Sequence, residues 1–226
     1  MTDSYEVEIK SLLGTRDGVD RLVVAMRAKD PALKTLGMHT QLNHYFVGGD
    51  LARLAQSLPT VLDDDHAARF VDIASRAKDF SLRTRLADQK LLLVLKASVD
   101  DTTSANGTAR LEFEAPIPNL TLDELDAIVL KSGFTYQAKW SRDRTDYRLG
   151  DVNVSIDKNA GYGYLAELEL IVHDPRQADT AKENLRALMA ELGLIELPQD
   201  RLARMFDHYN AHWPEYYGTE KTFVIE

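Results

Sequence analysis

The N-terminal segment YEVEIK, residues 5–10, alternates charged and apolar side chains. Glu6, Glu8 and Lys10 occupy every second position, with aromatic or aliphatic residues between them. Because successive side chains of a β-strand point to opposite faces, two carboxylates and one ammonium group share a face of the predicted strand. For a single strand, this alternation is typical of a sheet with one face on a core and the other in water.

The same alternation returns along the chain, and the repetition changes its interpretation. Charged or polar side chains recur at every second position in FSLRTRL (80–86), TARLEFEA (108–115), VNVSIDK (152–158) and YLAELELIV (164–172). Solvated strand faces usually mix neutral and charged polar residues, whereas these faces are rich in Glu and Arg. Five strands with the same kind of charged face indicate that the faces meet in one place.

Hydrophobic periodicity and turn residues predict the secondary structure. A Thr121–Glu124 capping box and an Asp174–Pro175 start support the last two predicted helices. Many antiparallel strands at short spacing, with helices inserted, favour an α+β fold built on a barrel or sandwich. Strands are predicted at 5–13, 39–47, 80–87, 90–98, 108–115, 134–142, 144–149, 152–157 and 162–172, and helices at 16–29, 50–58, 64–77, 121–132 and 175–192.

The predicted helices need an apolar surface to pack against, and the apolar strand faces can supply it. If the helices cover the outside of a closed sheet, the charged faces point into its lumen. A dry, empty lumen of this composition would be very costly, because buried charges need partners and hydrogen bonds. The pattern therefore favours a wet site for a polyanion together with hard divalent cations.

Composition excludes several classes of protein. The chain has 226 residues, no Cys and a formal net charge of −9. Disulfides and thiolate metal sites are therefore impossible, and a general nucleic-acid-binding role is disfavoured. Neither a signal peptide nor a membrane-spanning segment is apparent, so we expect a cytoplasmic protein without a membrane or nucleic-acid partner.

The cationic and the anionic side chains suit two different tasks in phosphoryl-transfer chemistry. Arg and Lys bind phosphate oxygens, Arg with bidentate geometry. Clustered carboxylates bind Mg²⁺ or Mn²⁺, which bridge phosphates and neutralise the charge that develops in phosphoryl transfer. The predicted cofactor is accordingly Mg²⁺ or Mn²⁺, and the predicted partner is a small polyanion that carries phosphate groups.

The order of these motifs resembles the CYTH superfamily, also called triphosphate tunnel metalloenzymes. This family includes class IV adenylate cyclases, thiamine triphosphatases and inorganic triphosphatases. A single Glu-x-Glu-x-Lys would be a weak signal, but the ordered series extends from residue 5 to about 172. The series is Glu6-x-Glu8-x-Lys10, Arg83-x-Arg85, Lys96, Arg110-x-Glu112-x-Glu114, Arg142 and Arg144, Asp157, Gly161-Tyr-Gly163 and Glu167-x-Glu169.

The resemblance implies a fold and a set of residue roles. The fold is an eight-stranded antiparallel β-barrel tunnel with helices on the outside, and it forms one domain over residues 1–226. One metal would be held chiefly by Glu6, Glu8 and Glu169, and a second, weaker one by Glu112, Glu114, Asp157 and Glu167. The triphosphate would be bound by Lys10, Arg83, Arg85, Lys96, Arg110, Arg142 and Arg144, of which Lys10, Arg83, Arg85 and Lys96 are also assigned to catalysis.

Three readings of the function stay open. The first is a metal-dependent triphosphatase acting on tripolyphosphate, ATP or thiamine triphosphate. The second is a class IV adenylate cyclase that expels pyrophosphate from ATP, and the third is a non-catalytic polyphosphate or nucleotide sensor. The oligomeric state is open as well, with a homodimer as one option.

The sequence departs from the family pattern in three places. Asn43 stands where an Asp often precedes the Tyr-Phe of the second strand. A helical insert at about 48–79 and a helical, aromatic extension at about 174–226 lengthen the domain. Trp213, Tyr216 and Tyr217 in this extension could stack on a base or thiazolium ring, although core packing is the favoured role. The polar segment DDTTSANG (100–107) is predicted to be a mobile loop.

Overall fold

Eight antiparallel strands close into a barrel in the computed structural model, which describes residues 5–98 and 110–226. The neighbours around the ring are β1–β5–β4–β3–β2–β6–β7–β8. This confirms the predicted barrel; the DDTTSANG segment lies outside the described residues. The strands are β1 (Tyr5–Gly14), β2 (Lys34–Gly48), β3 (Asp79–Ala87), β4 (Lys90–Ser98), β5 (Arg110–Pro116), β6 (Phe134–Leu149), β7 (Val152–Asn159) and β8 (Gly163–Val172).

Helices pack around this ring. In the described part of the chain they are α1 (Arg16–Lys29), α2 (Leu51–Ser57), α3 (Asp64–Arg76), α4 (Leu122–Lys131), α5 (Ala178–Glu191) and α6 (Gln199–Tyr216), with 3₁₀ turns at Leu58–Thr60 and Pro175–Gln177. The predicted capping box is confirmed, because Thr121 and Glu124 each bond the other's backbone N–H at the start of α4. No helix in the described ranges is long and apolar enough to span a membrane.

Some predicted boundaries were wrong. The segments 134–142 and 144–149 form one strand, β6, because β2 and β7 pair with it on both sides through Asp143. Ladder pairing thus overrides the low strand propensity of Asp, and Thr40 Oγ1 also donates to Asp143 Oδ1 at 3.0 Å. The predicted helix 175–192 begins as a 3₁₀ turn, and the long helix α6 was not predicted as a separate element.

The apolar strand faces and the helices together make the core. On the outer face of the barrel, Leu93, Leu95 and Leu168 are fully buried. The helices contribute residues such as Leu22 of α1 and Leu185 of α5 to the same cluster. Because the outward faces are occupied by helices, the alternate residues of each strand face the lumen.

Helix α6 packs across one end of the barrel rather than on its side. Tyr209 stacks on Trp140 of β6 at a centroid distance of 3.6 Å, and its hydroxyl donates to the Lys139 carbonyl at 2.9 Å. The chain after α6 then returns to the β7–β8 turn, where the Phe223 N–H donates to the Gly161 carbonyl at 2.7 Å. Gly161 has φ +87°, and a Cβ there would meet the Tyr209 ring at 2.7 Å. Only glycine fits this close contact without strain.

A buried polar cluster ties α4 and the end of α6 to the outer wall. The Asp126 carboxylate accepts hydrogen bonds from Thr84 Oγ1 at 2.6 Å and Tyr136 Oη at 2.7 Å, and it lies 2.6 Å from His44 Nδ1. These donors lower the pKa of Asp126 against the effect of its burial. His44 Nε2 lies 2.9 Å from the Tyr217 hydroxyl. The cluster gives Tyr217 a packing role.

Strand β8 offers a matched test of this packing. Leu168 is fully buried on the outer face, whereas Ile171 on the same strand is 51% exposed. We expect Leu168→Ala to lower the free energy of unfolding by about 2–5 kcal/mol, because it leaves a cavity in the core. Ile171→Ala should change it by about 0.5 kcal/mol or less. Chemical denaturation measures both values, and equal losses would contradict the assignment of the two faces.

Candidate functional site

The lumen contains a cavity of about 530 Å³ that all eight strands line. Thirteen of the fourteen predicted site residues face it. The exception is Arg110 of β5, whose backbone pairs with that of Glu6 of β1. The Arg110 side chain lies outside the described part of the structure. The thirteen are Glu6, Glu8, Lys10, Arg83, Arg85, Lys96, Glu112, Glu114, Arg142, Arg144, Asp157, Glu167 and Glu169.

Three of the predicted metal ligands form a cluster on β1 and β8. Glu6, Glu8 and Glu169 each present one oxygen, and these oxygens lie within 4.8 Å of one another. The β-sheet register explains the proximity, since Glu8 is directly opposite Glu169 across the β1–β8 ladder. Like charges at directly opposed positions are destabilising. A divalent cation would turn that repulsion into coordination, and carboxylate oxygens are the ligands that Mg²⁺ and Mn²⁺ prefer.

The pKa values of the three glutamates reflect both their burial and this repulsion between carboxylates. Desolvation and a hydrogen bond with Glu112 raise the pKa of Glu6 to about 7, although Lys96 opposes the shift. Desolvation and the Glu6 charge likewise raise the pKa of Glu169. Glu8 behaves differently, because Lys10 lies 2.6 Å away and lowers its pKa. The donor set therefore fits a divalent cation, which would favour the ionised form of all three carboxylates.

Two arginines on β3 face the lumen from the opposite wall. Arg83 Nη1 donates to the Tyr45 hydroxyl at 2.7 Å, and Arg85 Nε donates to Asn43 Oδ1 at 2.8 Å. Arg85 also contacts Glu114 at 3.2 Å. Buried Arg83 Nε has no hydrogen-bond partner among the described residues. An unpaired buried donor of this kind is suited to an anion.

A second cationic group lies on β6. Arg142 and Arg144 both bind the fully buried Asp157, with N–O distances of 2.7–2.8 Å. Arg144 also pairs with Glu167, which lies 3.5 Å from Lys10 Nζ. Burial alone would raise the pKa of Glu167, but Lys10 and Arg144 hold it well below its ordinary value. Asp157 and Glu167 thus orient the cations of this wall, apart from the three clustered glutamates.

Lys96 on β4 lies between two of the lumen carboxylates. Its ammonium group pairs with Glu6 and lies 3.5 Å from Glu112 Oε1. Burial would lower the pKa of Lys96, but Glu6 and Glu112 raise it above its ordinary value. Lys96 therefore stays charged beside the carboxylate cluster.

Several lumen residues were not among the predicted site residues. Asn43 and Tyr45 follow the same every-second-residue pattern within QLNHYF (41–46), and Trp140 continues the inward series of Arg142 on β6. The period of two could have identified them, had neutral residues been counted. Phe206 of α6 carries no comparable local signal, because only the packing of a distant helix brings it to the lumen.

Comparison with known families matches the model of the CYTH domain to residues 4–201. The chain belongs to the CYTH family. This confirms the resemblance predicted from the motif series. No curated protein matches the sequence.

Solved structures share the fold at low sequence identity. A conserved hypothetical protein of Pyrococcus furiosus superposes with a TM-score of 0.60 and 19% identity, covering 84% of this chain and 91% of its own. A protein from Pyrococcus horikoshii gives 0.59 and 20% over 86% and 94%. A candidate adenylate cyclase from Vibrio parahaemolyticus gives 0.59 and 15% over 90% and 98%. At such identities the likeness concerns the fold alone.

The raised pKa of Glu6 makes Mg²⁺ binding depend on pH. Below pH 7 Glu6 holds a proton that the cation must displace, so affinity should fall as pH falls. With one coupled proton of pKa about 7, we expect Mg²⁺ to bind about tenfold more weakly at pH 6 than at pH 8, with about half a proton released per ion at pH 7. Isothermal titration calorimetry in buffers of different ionisation enthalpy measures both quantities.

Two variants complete this experiment. Glu6→Gln should bind Mg²⁺ more weakly and lose most of the pH dependence. Glu220→Gln alters a surface carboxylate whose side chain is 79% exposed, and it should behave as wild type. Equal Mg²⁺ affinity of the wild-type protein at pH 6 and pH 8 would rule out Glu6 as a ligand with this pKa.

Proposed function

We propose that this protein is a divalent-metal-dependent triphosphatase that hydrolyses the terminal phosphoryl group of inorganic or organic triphosphate in the barrel lumen. One observation carries the proposal. A cluster of three carboxylates, Glu6, Glu8 and Glu169, faces a set of arginines and lysines across one cavity. A binder of anions alone would gain from losing the carboxylates, whereas metal-assisted phosphoryl transfer needs both sets.

The cations bind and orient the phosphate chain. Arg83 and Arg85 act from one wall, and Arg142 and Arg144 from the other, each pair held by neighbours that fix its direction. Bidentate guanidinium contacts suit phosphate oxygens, and a fixed orientation lowers the entropic cost of reaching the transition state. Lys10 and Lys96 add charge next to the carboxylates.

The carboxylates would hold the metal. Glu6, Glu8 and Glu169 are the proposed ligands of the tighter ion, and Glu112 and Glu114 are the remaining carboxylates for a weaker one. When bound, Mg²⁺ or Mn²⁺ would neutralise phosphate charge and favour attack by water. Asp157 and Glu167 are proposed to position Arg142, Arg144 and Lys10 instead, since each of these two carboxylates already pairs with two cations.

In the reaction, a water oxygen bonds to the terminal phosphorus while the bridging P–O bond breaks. The bond's electron pair stays on the leaving diphosphate or diphosphate ester, whose new charge the neighbouring Arg and Lys side chains stabilise. The proton that the attacking water loses passes to the phosphate products or to solvent. Charge stabilisation of this kind in a preorganised site is usually the largest contribution to catalysis.

Incubation with tripolyphosphate and, separately, with ATP tests the reaction. With Mg²⁺ or Mn²⁺ we expect orthophosphate as a product, with diphosphate from tripolyphosphate and ADP from ATP, and no turnover in EDTA. Ion-exchange chromatography resolves orthophosphate, diphosphate (pyrophosphate), ADP and cyclic AMP, and the ATP incubation distinguishes hydrolysis from cyclisation. Cyclic AMP with pyrophosphate would identify a cyclase, and binding without turnover would identify a sensor; either result contradicts the proposal.

Two substitutions distinguish the proposed roles. Glu8→Gln keeps the shape of the side chain but removes a metal ligand, so turnover at limiting Mg²⁺ should be lost. Arg83→Ala should reduce kcat/KM roughly tenfold to hundredfold, the loss of one charge-assisted hydrogen bond. Steady-state kinetics with Glu220→Gln as the surface control measures both. Normal kinetics in Glu8→Gln would remove Glu8 from the metal site.

A further inference from the structure

The two lumen arginines of β3 are each bonded to the residue directly opposite on β2. In the β2–β3 ladder, Tyr45 is opposite Arg83 and Asn43 is opposite Arg85. The same two pairs are joined in the lumen by side-chain hydrogen bonds of 2.7 and 2.8 Å. The position of both guanidinium groups therefore depends on how β3 is aligned with β2.

The buried polar cluster of the outer wall lies at the ladder position between these two pairs. His44 is opposite Thr84, and both side chains point to the outer face because their neighbours point to the lumen. The Asp126 carboxylate of α4 contacts both of them. Thr84 Oγ1 donates to Asp126 Oδ1 at 2.6 Å, and His44 Nδ1 lies 2.6 Å from Asp126 Oδ2. One carboxylate thus joins the two strands directly behind the arginines.

Stability alone does not explain a carboxylate in this place. Thr84, Asp126 and His44 are at most 2% exposed, and the neighbouring buried positions of α4, Leu125 and Val129, are apolar. Desolvation makes a buried charged group a weak source of stability, and well-packed apolar residues often replace such groups without loss. A buried polar group can instead specify one arrangement of the elements around it.

The alignment of β2 with β3 is the arrangement that this cluster can specify. The other outward positions of the paired segment are apolar, and apolar contacts are non-directional, so they oppose small displacements along the strands only weakly. Hydrogen bonds from both strands to one carboxylate have narrow distance and angle limits. These apolar positions are Leu42 and Phe46 on β2 and Leu82 and Leu86 on β3.

We propose that Thr84, His44 and Asp126 are positioning residues that hold Arg83 and Arg85 in the geometry that binds a phosphate chain. This inference rests on the phosphate-binding part of the proposed function and adds residues outside the lumen to it. Thr84 is one residue from each arginine, so a displacement of its backbone moves both guanidinium groups. A displacement of about 1 Å in a binding group is enough to weaken its action strongly.

The opposite wall of the lumen is oriented in a different way. Arg142 and Arg144 are held inside the lumen by Asp157, which neutralises part of their charge. The β3 arginines instead bond to a neutral phenol and a neutral carboxamide, and Arg85 also contacts Glu114 at 3.2 Å. A carboxylate placed behind the strand aligns these arginines and leaves more of their charge for an anion.

Thr84→Val tests this role, because it removes the hydroxyl group and nearly keeps the shape of the side chain. The probe is the bis-methylene analogue of tripolyphosphate at saturating Mg²⁺, which has no hydrolysable P–O–P bridge. We expect its Kd, measured by calorimetry, to rise about fivefold, the effect of one hydrogen bond. Thr84→Ser keeps the hydroxyl group and should bind the analogue within twofold of wild type. Asp126→Asn tests the same contacts from α4 and should also raise the Kd.

Binding of Mg²⁺ alone separates positioning from general destabilisation. The carboxylate cluster lies on β1 and β8, so the Mg²⁺ Kd of Thr84→Val should equal that of wild type. Leu54→Ala provides a control for lost stability, since Leu54 is a fully buried residue of α2, the helix that packs on α3. It should lower the Tm and leave both Kd values unchanged.

The outcomes separate this inference from the proposed function. An analogue Kd within twofold of wild type in both Thr84→Val and Asp126→Asn overturns the inference, even if tripolyphosphate is hydrolysed. Equal rises in the Kd of the analogue and of Mg²⁺ alone also overturn it, because they indicate a general loss of structure. A selective rise supports the positioning role even if tripolyphosphate is bound without hydrolysis, in which case the triphosphatase activity alone is wrong.

Discussion

Charge compensation inside a closed barrel is the constraint on which the structure depends. Thirteen charged side chains in the described part of the chain line one lumen, where the solvation lost on burial must be replaced. Asp157 between Arg142 and Arg144, and Lys96 between Glu6 and Glu112, provide local compensation. The compensation is incomplete at Glu169, whose pKa is raised, and at Arg83 Nε, which has no partner among the described residues. The free protein therefore leaves one region short of cations and another short of anions, as expected for a site that receives a metal and a polyphosphate.

The rest of the fold keeps these charges facing inward. A shift of one residue in any strand register would put its charged side chains on the outer face, against helices such as α1 and α5. The buried outer residues, among them Leu93 and Leu168, make such a shift costly. Helix α6 adds a different boundary, because it covers one end of the lumen with neutral side chains. The barrel wall thus provides the charged side chains of the lumen, and α6 closes one end of it with neutral ones.

Prediction from sequence succeeded where the signal was local and periodic. Alternation of period two is enough to assign Glu6, Glu8, Arg83 and Glu167 to the lumen side, since the residues of each strand show which of its faces is polar. Prediction failed where neighbours decide the outcome. Two predicted strands are one, β6, because pairing with β2 and β7 passes through Asp143. The position of Phe206 at the lumen depends on how α6 docks, and the His44–Asp126 contact joins residues 82 positions apart. No local pattern encodes either arrangement.

The thermal stability of the protein with and without phosphate chains tests the central claim that the charged faces look into a ligand-binding lumen. A ligand that binds only the folded protein at a hundredfold excess over its Kd stabilises it by about 2.7 kcal/mol, or about 5–11 °C for a chain of this size. Tripolyphosphate with Mg²⁺ should therefore raise the Tm by this order at physiological ionic strength, and orthophosphate at the same concentration should raise it far less. Outward-facing charges would bind both anions weakly, and salt would screen the effect. Equal shifts for the two anions, or a tripolyphosphate shift that disappears at 0.15 M salt, the approximate physiological ionic strength, would contradict a charged lumen.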